Sequence, residues 1–172
     1  MSFFNRISRF FRGVFKKKEP VVSEPSPIVV PISEMPWFEL AKKEIGEKEQ
    51  SSGSNPRIVE YHSVTSLEAT DDGVPWCASF VSWCLERSGY KSTRSARAKS
   101  YLDYGVKLEK PVKGCVVVFS RGRDSGHVAF YDSDAGMMIR VLGGNQSDKV
   151  CYSSYLKSRI LGYRMPVKKQ GS

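Results

Sequence analysis

The sequence predicts an α+β domain, with N-terminal helices packed on an antiparallel β-sheet. Three observations carry that expectation. Apolar residues recur at helical spacing as far as about residue 104. Beyond residue 114 the chain breaks into short segments rich in β-branched and aromatic residues, separated by turn chemistry. With 172 residues, 40% of them hydrophobic, the chain suits one compact domain with tails. Helices followed by a run of strands segregate to one face of a sheet.

Residues 1–18 hold six Lys/Arg and no acid, and Phe3, Ile7, Phe10, Phe11, Val14 and Phe15 recur at three- and four-residue spacing. That is a basic amphipathic segment suited to an anionic membrane surface; a partner-binding or unstructured tail is the plainer alternative. Residues 19–36 contain five prolines, three glutamates and no base, so 19–35 is read as a semi-extended linker. The domain itself is expected over 36–166, followed by a short basic tail, 167–172.

Inside the domain, Pro36 opens a helix that ends near Gly46. A second short helix is expected over 56–64. The clearest one covers 78–87, where Cys77, Phe80, Val81, Cys84 and Leu85 share a face and Gly89 ends the run. A looser helical stretch follows at 96–104. Strands are expected at 114–120, 126–133, 137–143, 149–152 and 160–165, with a hairpin turn over 132–136.

Composition removes several classes. No run of ~20 apolar residues exists to cross a bilayer as a helix. The net charge of +9 divides into +6 for residues 1–18, −3 for 19–36, +4 for 37–166 and +2 for the tail. The folded part is therefore only mildly basic, a bias toward anionic partners that does not choose among them. Four cysteines without a CxxC pair and only two histidines argue against a zinc site, so no metal and no cofactor is expected. Cys77 and Cys84, two helical turns apart, are too distant for a disulfide.

Cys77 stands where the loop from Asp71 to Trp76 enters a helix, and the positive end of a helix dipole favours thiolate. Cys84, Cys115 and Cys151 lie inside apolar elements and read as buried hydrophobes. His127 opens a strand. If the hairpin turns near Asp134 and Ala135, His127 faces residues about Leu142 and Gly143, and Asn145 lies just beyond, placed to orient the imidazole. Cys, His and Asn in that order follow the logic of papain-like hydrolases: thiolate attacks, imidazole shuttles the proton, carboxamide orients the ring. His62 is read as structural or exposed.

The segments Pro75-Trp76-Cys77-Ala78-Ser79-Phe80-Val81-Ser82-Trp83-Cys84-Leu85, Gly114-Cys115-Val116-Val117-Val118-Phe119, Gly126-His127-Val128-Ala129-Phe130-Tyr131 and Leu142-Gly143-Gly144-Asn145-Gln146 resemble the CHAP-type papain-like peptidoglycan hydrolases. The resemblance covers about residues 36–166. It implies a cysteine amidase or endopeptidase that cuts the peptide of bacterial peptidoglycan, with Cys77 as nucleophile, His127 as base and Asn145 as orienting residue. Two departures from the family pattern stand out. Gly114-Cys115 replaces a common Gly-Asp turn, and Gly143 occupies a position where many members carry Glu. The third role thus rests on Asn145, with Gln146 as a substitute.

Asp71, Asp72, Trp76 and Gln146 are candidate substrate-binding residues. The expected protein is a monomer without a nucleic-acid partner. It would be a phage-encoded lytic enzyme acting at the host wall or periplasm, with virion or membrane association through residues 1–18. Rival readings are a deamidase or transglutaminase-like effector on the same triad, a glycan-cleaving enzyme using Glu44, and a catalytically dead papain-like module anchored to an envelope or membrane.

Overall fold

The computed structural model describes residues 35–169; the readings of 1–34 and 170–172 lie outside the described residues. Helix α1, Pro36–Lys43, begins on proline and carries Glu39 in its first turn and Lys42 and Lys43 in its last. That distribution complements the helix dipole. It buries Trp37, Phe38 and Ala41, and the Trp37 indole N–H donates to the Gly114 carbonyl at 2.8 Å, tying the helix to the start of the sheet. Helix α2, Pro56–His62, is capped by the Asn55 side chain, which accepts from the Arg57 backbone N–H at 2.8 Å.

Helix α3, Cys77–Arg87, is buried at every position from Cys77 to Leu85. A helix apolar on all sides belongs inside a core, and α3 packs against α1, α2 and the sheet. Its polar exceptions are partnered: Ser82 Oγ meets the Tyr101 hydroxyl at 2.8 Å and Ser79 Oγ meets His62 Nδ1 at 3.0 Å. The looser stretch expected at 96–104 is a 3-10 helix, Ala98–Asp103.

Six strands follow: β1 Val106–Leu108, β2 Val116–Ser120, β3 Gly126–Ala135, β4 Met138–Gly143, β5 Cys151–Leu156 and β6 Ile160–Met165. They form one antiparallel sheet in the order β1-β6-β2-β3-β4-β5. The α+β reading therefore holds. Strand β1 escapes sequence reasoning because three half-wet residues at an edge carry no periodicity. Strand β5 runs four residues past its expected end, across two serines that offer no apolar signal.

The β3–β4 hairpin differs from expectation in a way that matters for the site. Ala135 pairs with Met138, so the turn is Gly136–Met137, two residues later than expected, and Gly136 adopts φ +68 there. The register also shifts between Tyr131 and Ser133, leaving Asp132 as a bulge. Asp132 is buried and held by Lys113 at 2.9 Å and Arg140 at 3.4 Å. The ladder ends at Phe130 with Leu142, so His127 reaches beyond β4 into the loop that follows it.

The sheet is strongly curled. Leu156 pairs with Met138 at one end of β4, yet after only three intervening residues Ile160 pairs with Phe119 on β2. That return brings the Tyr155 ring to 4.8 Å from Phe119 and 5.2 Å from His127, centroid to centroid.

Candidate functional site

Cys77 is the first residue of α3. Trp76, the residue at the helix cap, supplies no side-chain hydrogen bond to the helix amides, and the first amide that bonds back into the helix is that of Phe80, to the Trp76 carbonyl. The amides ahead of Phe80 are thus left for an anion at the helix mouth. Burial pushes the Cys77 thiol up. Backbone hydrogen bonding from Val128, the positive charge of Arg121, and the amides of Ala78 and Cys77 itself pull the other way. Cys77 lines a cleft of about 170 Å³ together with Pro75, Arg97, Lys99 and Gly126, which places it at the mouth of β3 where His127 begins.

His127 is fully buried. Its Nε2 lies 3.1 Å from Gln146 Oε1. The direction of that bond follows from the other end of the amide: Gln146 Nε2 donates to the carbonyls of Gly143, at 3.2 Å, and Cys151, at 2.5 Å. The amide nitrogen is committed to two acceptors, so the oxygen faces the ring and His127 Nε2 carries the proton. His127 Nδ1 is then an unprotonated lone pair, and it is buried without a hydrogen-bond partner among the described residues. Burial first, and the Arg121 charge second, push the imidazole down to about 3, against a smaller upward pull from Gln146. The resting ring is a neutral base with its reactive nitrogen free.

Phe119 and Tyr155 pack the ring, with centroids 6.1 Å and 5.2 Å away. Tyr155, Cys77 and His127 are linked by a common neighbour, Arg121. The positive charge of its guanidinium acts on the Tyr155 phenol, the thiol and the imidazole alike. Sequence reasoning missed Arg121 and Tyr155. Arg121 had a usable signal, since it opens the loop that ends on His127. Tyr155 had none, because only the curl of the sheet brings it there.

The expected orienting residue is corrected. Asn145 does not reach His127; its Nδ2 donates to Glu49 Oε1 at 3.3 Å, and its φ of +54 turns the side chain off the strand line. Gln146 takes that position. Trp76 also departs from its expected substrate role: it is fully buried, it donates to the same Glu49 oxygen at 2.9 Å, and it packs on Tyr61 and Phe80. A Cβ at Gly144 would collide with its indole, so glycine there lets the chain pass over Trp76.

Asp72 is buried and accepts from the backbone N–H groups of Gln50, at 2.9 Å, and Asn55, at 2.8 Å. Those bonds, Asn55 first, hold its carboxyl below the usual range. It pins the 50–55 loop instead of meeting substrate. Asp71 is exposed and accepts from Gly73 N at 2.7 Å, a local turn that leaves it no contact with the cleft.

Glu44, the carboxylate of the glycan-cleaving rival, is occupied by the Tyr61 hydroxyl at 2.7 Å and Arg57 Nε at 2.9 Å. His62 is buried against Ser79, in agreement with a structural reading. A larger polar hollow, about 460 Å³, lies among Lys48, Glu49, Gln50, Ser51, Ser52 and Asn55, and it contains neither a nucleophilic thiol nor a histidine. Among the described residues no group of three or more His, Cys, Asp or Glu could hold a metal ion.

Comparison with protein families finds that residues 69–145 match the model described as CHAP domain. No curated protein matches the chain.

Proposed function

Starting from residues 69–145 as a CHAP-type domain, one of a family typically made up of hydrolases acting on peptidoglycan, we propose that this chain cleaves an amide bond in the peptide part of that polymer, with Cys77 as nucleophile, His127 as base and Gln146 as the residue that orients the imidazole. The observation that carries the reading is the His127 ring: it bonds through Nε2 to Gln146 and keeps Nδ1 unpartnered among the described residues, while Gly126, the residue before it, lines a cleft with Cys77.

The chemistry follows from that arrangement. The Cys77 thiol gives its proton to His127 Nδ1 as the sulfur attacks the peptide carbonyl. The backbone N–H groups at the start of α3 face the oxygen that becomes negative. His127 then returns the proton to the departing amine, the C–N bond breaks, and an acyl-thioester remains on Cys77. Water, deprotonated by the same Nδ1, attacks the thioester and releases the carboxylic acid and the thiol. Arg121 stabilises the thiolate and disfavours imidazolium, so the proton sits on His127 only transiently.

Action as a phage-encoded lytic enzyme at the host wall, and attachment to anionic membranes through residues 1–18, are the finer proposals. Their support is the motif resemblance for the first and the basic amphipathic sequence for the second. Clearing of purified bacterial walls tests the central reading. Cys77→Ser should abolish the loss of turbidity while leaving Tm near that of the parent. A Ser variant that still clears walls removes Cys77 as nucleophile. A parent protein that releases ammonia instead of wall fragments favours deamidation. The half-exposed Cys151 makes alkylation an ambiguous probe unless Cys151→Ser is the background.

A further inference from the structure

We infer that the cleft at Cys77 selects a stem peptide carrying a free carboxylate, gripped by Arg97 and Lys99. The inference rests on the peptidoglycan reading and adds the charge of the preferred substrate. Arg97, Lys99 and Cys77 line the same cleft, and Asp124 is the acid on that lining. Some cations elsewhere in the described residues are neutralised, with Arg57 and Arg87 on Glu60, Lys113 and Arg140 on Asp132, Lys157 on Asp134, and Lys169 on Glu86; what sets Arg97 and Lys99 apart is their place on the lining of the Cys77 cleft. None of Arg97, Lys99 and Arg121 forms an ion pair among the described residues, and neither does Asp124.

The donors are also mostly free. Lys99 spends one N–H on the Arg123 carbonyl at 2.7 Å, which holds the ammonium at the cleft and leaves two donors. The Arg97 guanidinium has no hydrogen bond among the described residues, although its backbone N–H is held by Ser95 Oγ at 3.2 Å. A guanidinium fork beside an ammonium is a pair suited to one carboxylate. With Arg121 and the amides at the start of α3 adding positive potential, the cleft has the wrong sign for a neutral or cationic peptide segment. Stem peptides offer carboxylates, and amidation turns them into neutral carboxamides of nearly equal size. Charge, rather than shape, is then the discriminating property.

The test compares a synthetic stem tetrapeptide muropeptide with free carboxylates against the same molecule with each carboxylate amidated. Full-length protein should show kcat/KM roughly tenfold higher on the free form, the size expected of hydrogen bonds to a charged group in a half-open cleft. In Arg97→Gln/Lys99→Gln that preference should shrink to within about twofold. Equal turnover of the two substrates by the parent, or an undiminished preference in the double variant, overturns the inference and leaves the hydrolase reading intact.

If neither molecule is cut, the hydrolase reading fails, and calorimetric binding to full-length Cys77→Ser decides the inference alone. Tighter binding of the free form, lost on adding the double substitution, upholds it; equal binding overturns it.

Discussion

The two histidines of the described residues make a controlled comparison. His62 and His127 are both fully buried, each uses one ring nitrogen in a hydrogen bond to a neutral side chain, and each leaves the other nitrogen unpartnered. His62 meets the first turn of α3 at Ser79, whereas Gly126, the residue before His127, lines a cleft with Cys77 at the start of that helix. Burial pushes both imidazoles down. What separates them is their surroundings. Ser79 is sealed in the core, and no cation among the described residues alters the His62 ring, whereas His127 shares Arg121 with a thiol that lines a cleft. A buried imidazole with a free nitrogen is therefore not by itself a site; a reachable nucleophile and a tuned charge make it one.

The comparison can be broken by substitution. His127→Ala should lower wall hydrolysis by about 10²–10⁴-fold, the usual worth of a positioned acid–base group. His62→Ala should cost about 2 kcal/mol of stability through a lost buried hydrogen bond, with specific activity retained at temperatures where the protein is folded. Equal losses of specific activity in the two variants would erase the distinction.

The carboxamides sharpen it next. Gln146→Ala should lower kcat roughly 10- to 100-fold, as losing the partner that orients a histidine does elsewhere. Asn145→Gly, which suits a residue at φ +54, should leave kcat within about twofold of the parent. A large loss in Asn145→Gly with little in Gln146→Ala would restore Asn145 as the orienting residue.

Acid stability offers a third measurement. An unfolded histidine takes up a proton near 6.5, while folded His127 resists it down to about 3. The unfolded chain thus binds more protons in that window, and stability falls as pH is lowered through it, by up to about 1.4 kcal/mol per unit. Between pH 6.5 and 5, above the carboxylate range, His127→Gln should flatten the slope seen by denaturant titration. An unchanged slope would mean the ring is protonated in the fold.

The smallest effects concern the acidic loop. Asp72→Ala should cost about 1–3 kcal/mol by stranding two backbone donors, and Asp71→Ala should be within about 0.5 kcal/mol of the parent. Neither should move KM. A raised KM for Asp71→Ala would return that residue to the substrate.

Helices, their caps and the major strands were legible because each depends on nearby residues. Pro36 and Pro56 open helices where proline costs nothing, and Cys77, Phe80, Val81, Cys84 and Leu85 share one face of a helix leading off a loop. The placement of Cys77 at that junction followed directly, and so did His127 at the start of a strand. Strand β1 and the far half of β5 were hidden, since edge residues and serines bear no periodic signal. The functions assigned to Asp72 and Trp76 failed for one reason: each is polar or amphipathic and near Cys77 in sequence, yet the loop folds both inward onto backbone donors and Glu49.

Local chemistry was enough to establish a cysteine at a helix mouth, a histidine at a strand mouth and a carboxamide pair downstream. Which carboxamide meets the ring was settled only in three dimensions. It depends on a turn at Gly136–Met137, a bulge at Asp132 and a left-handed backbone at Asn145, which together displace the pairing of two strands by a few residues. Side chains alternate faces along a strand and leave that geometry once the strand ends. So a small displacement in register delivers Gln146 Oε1, instead of its neighbour, to His127.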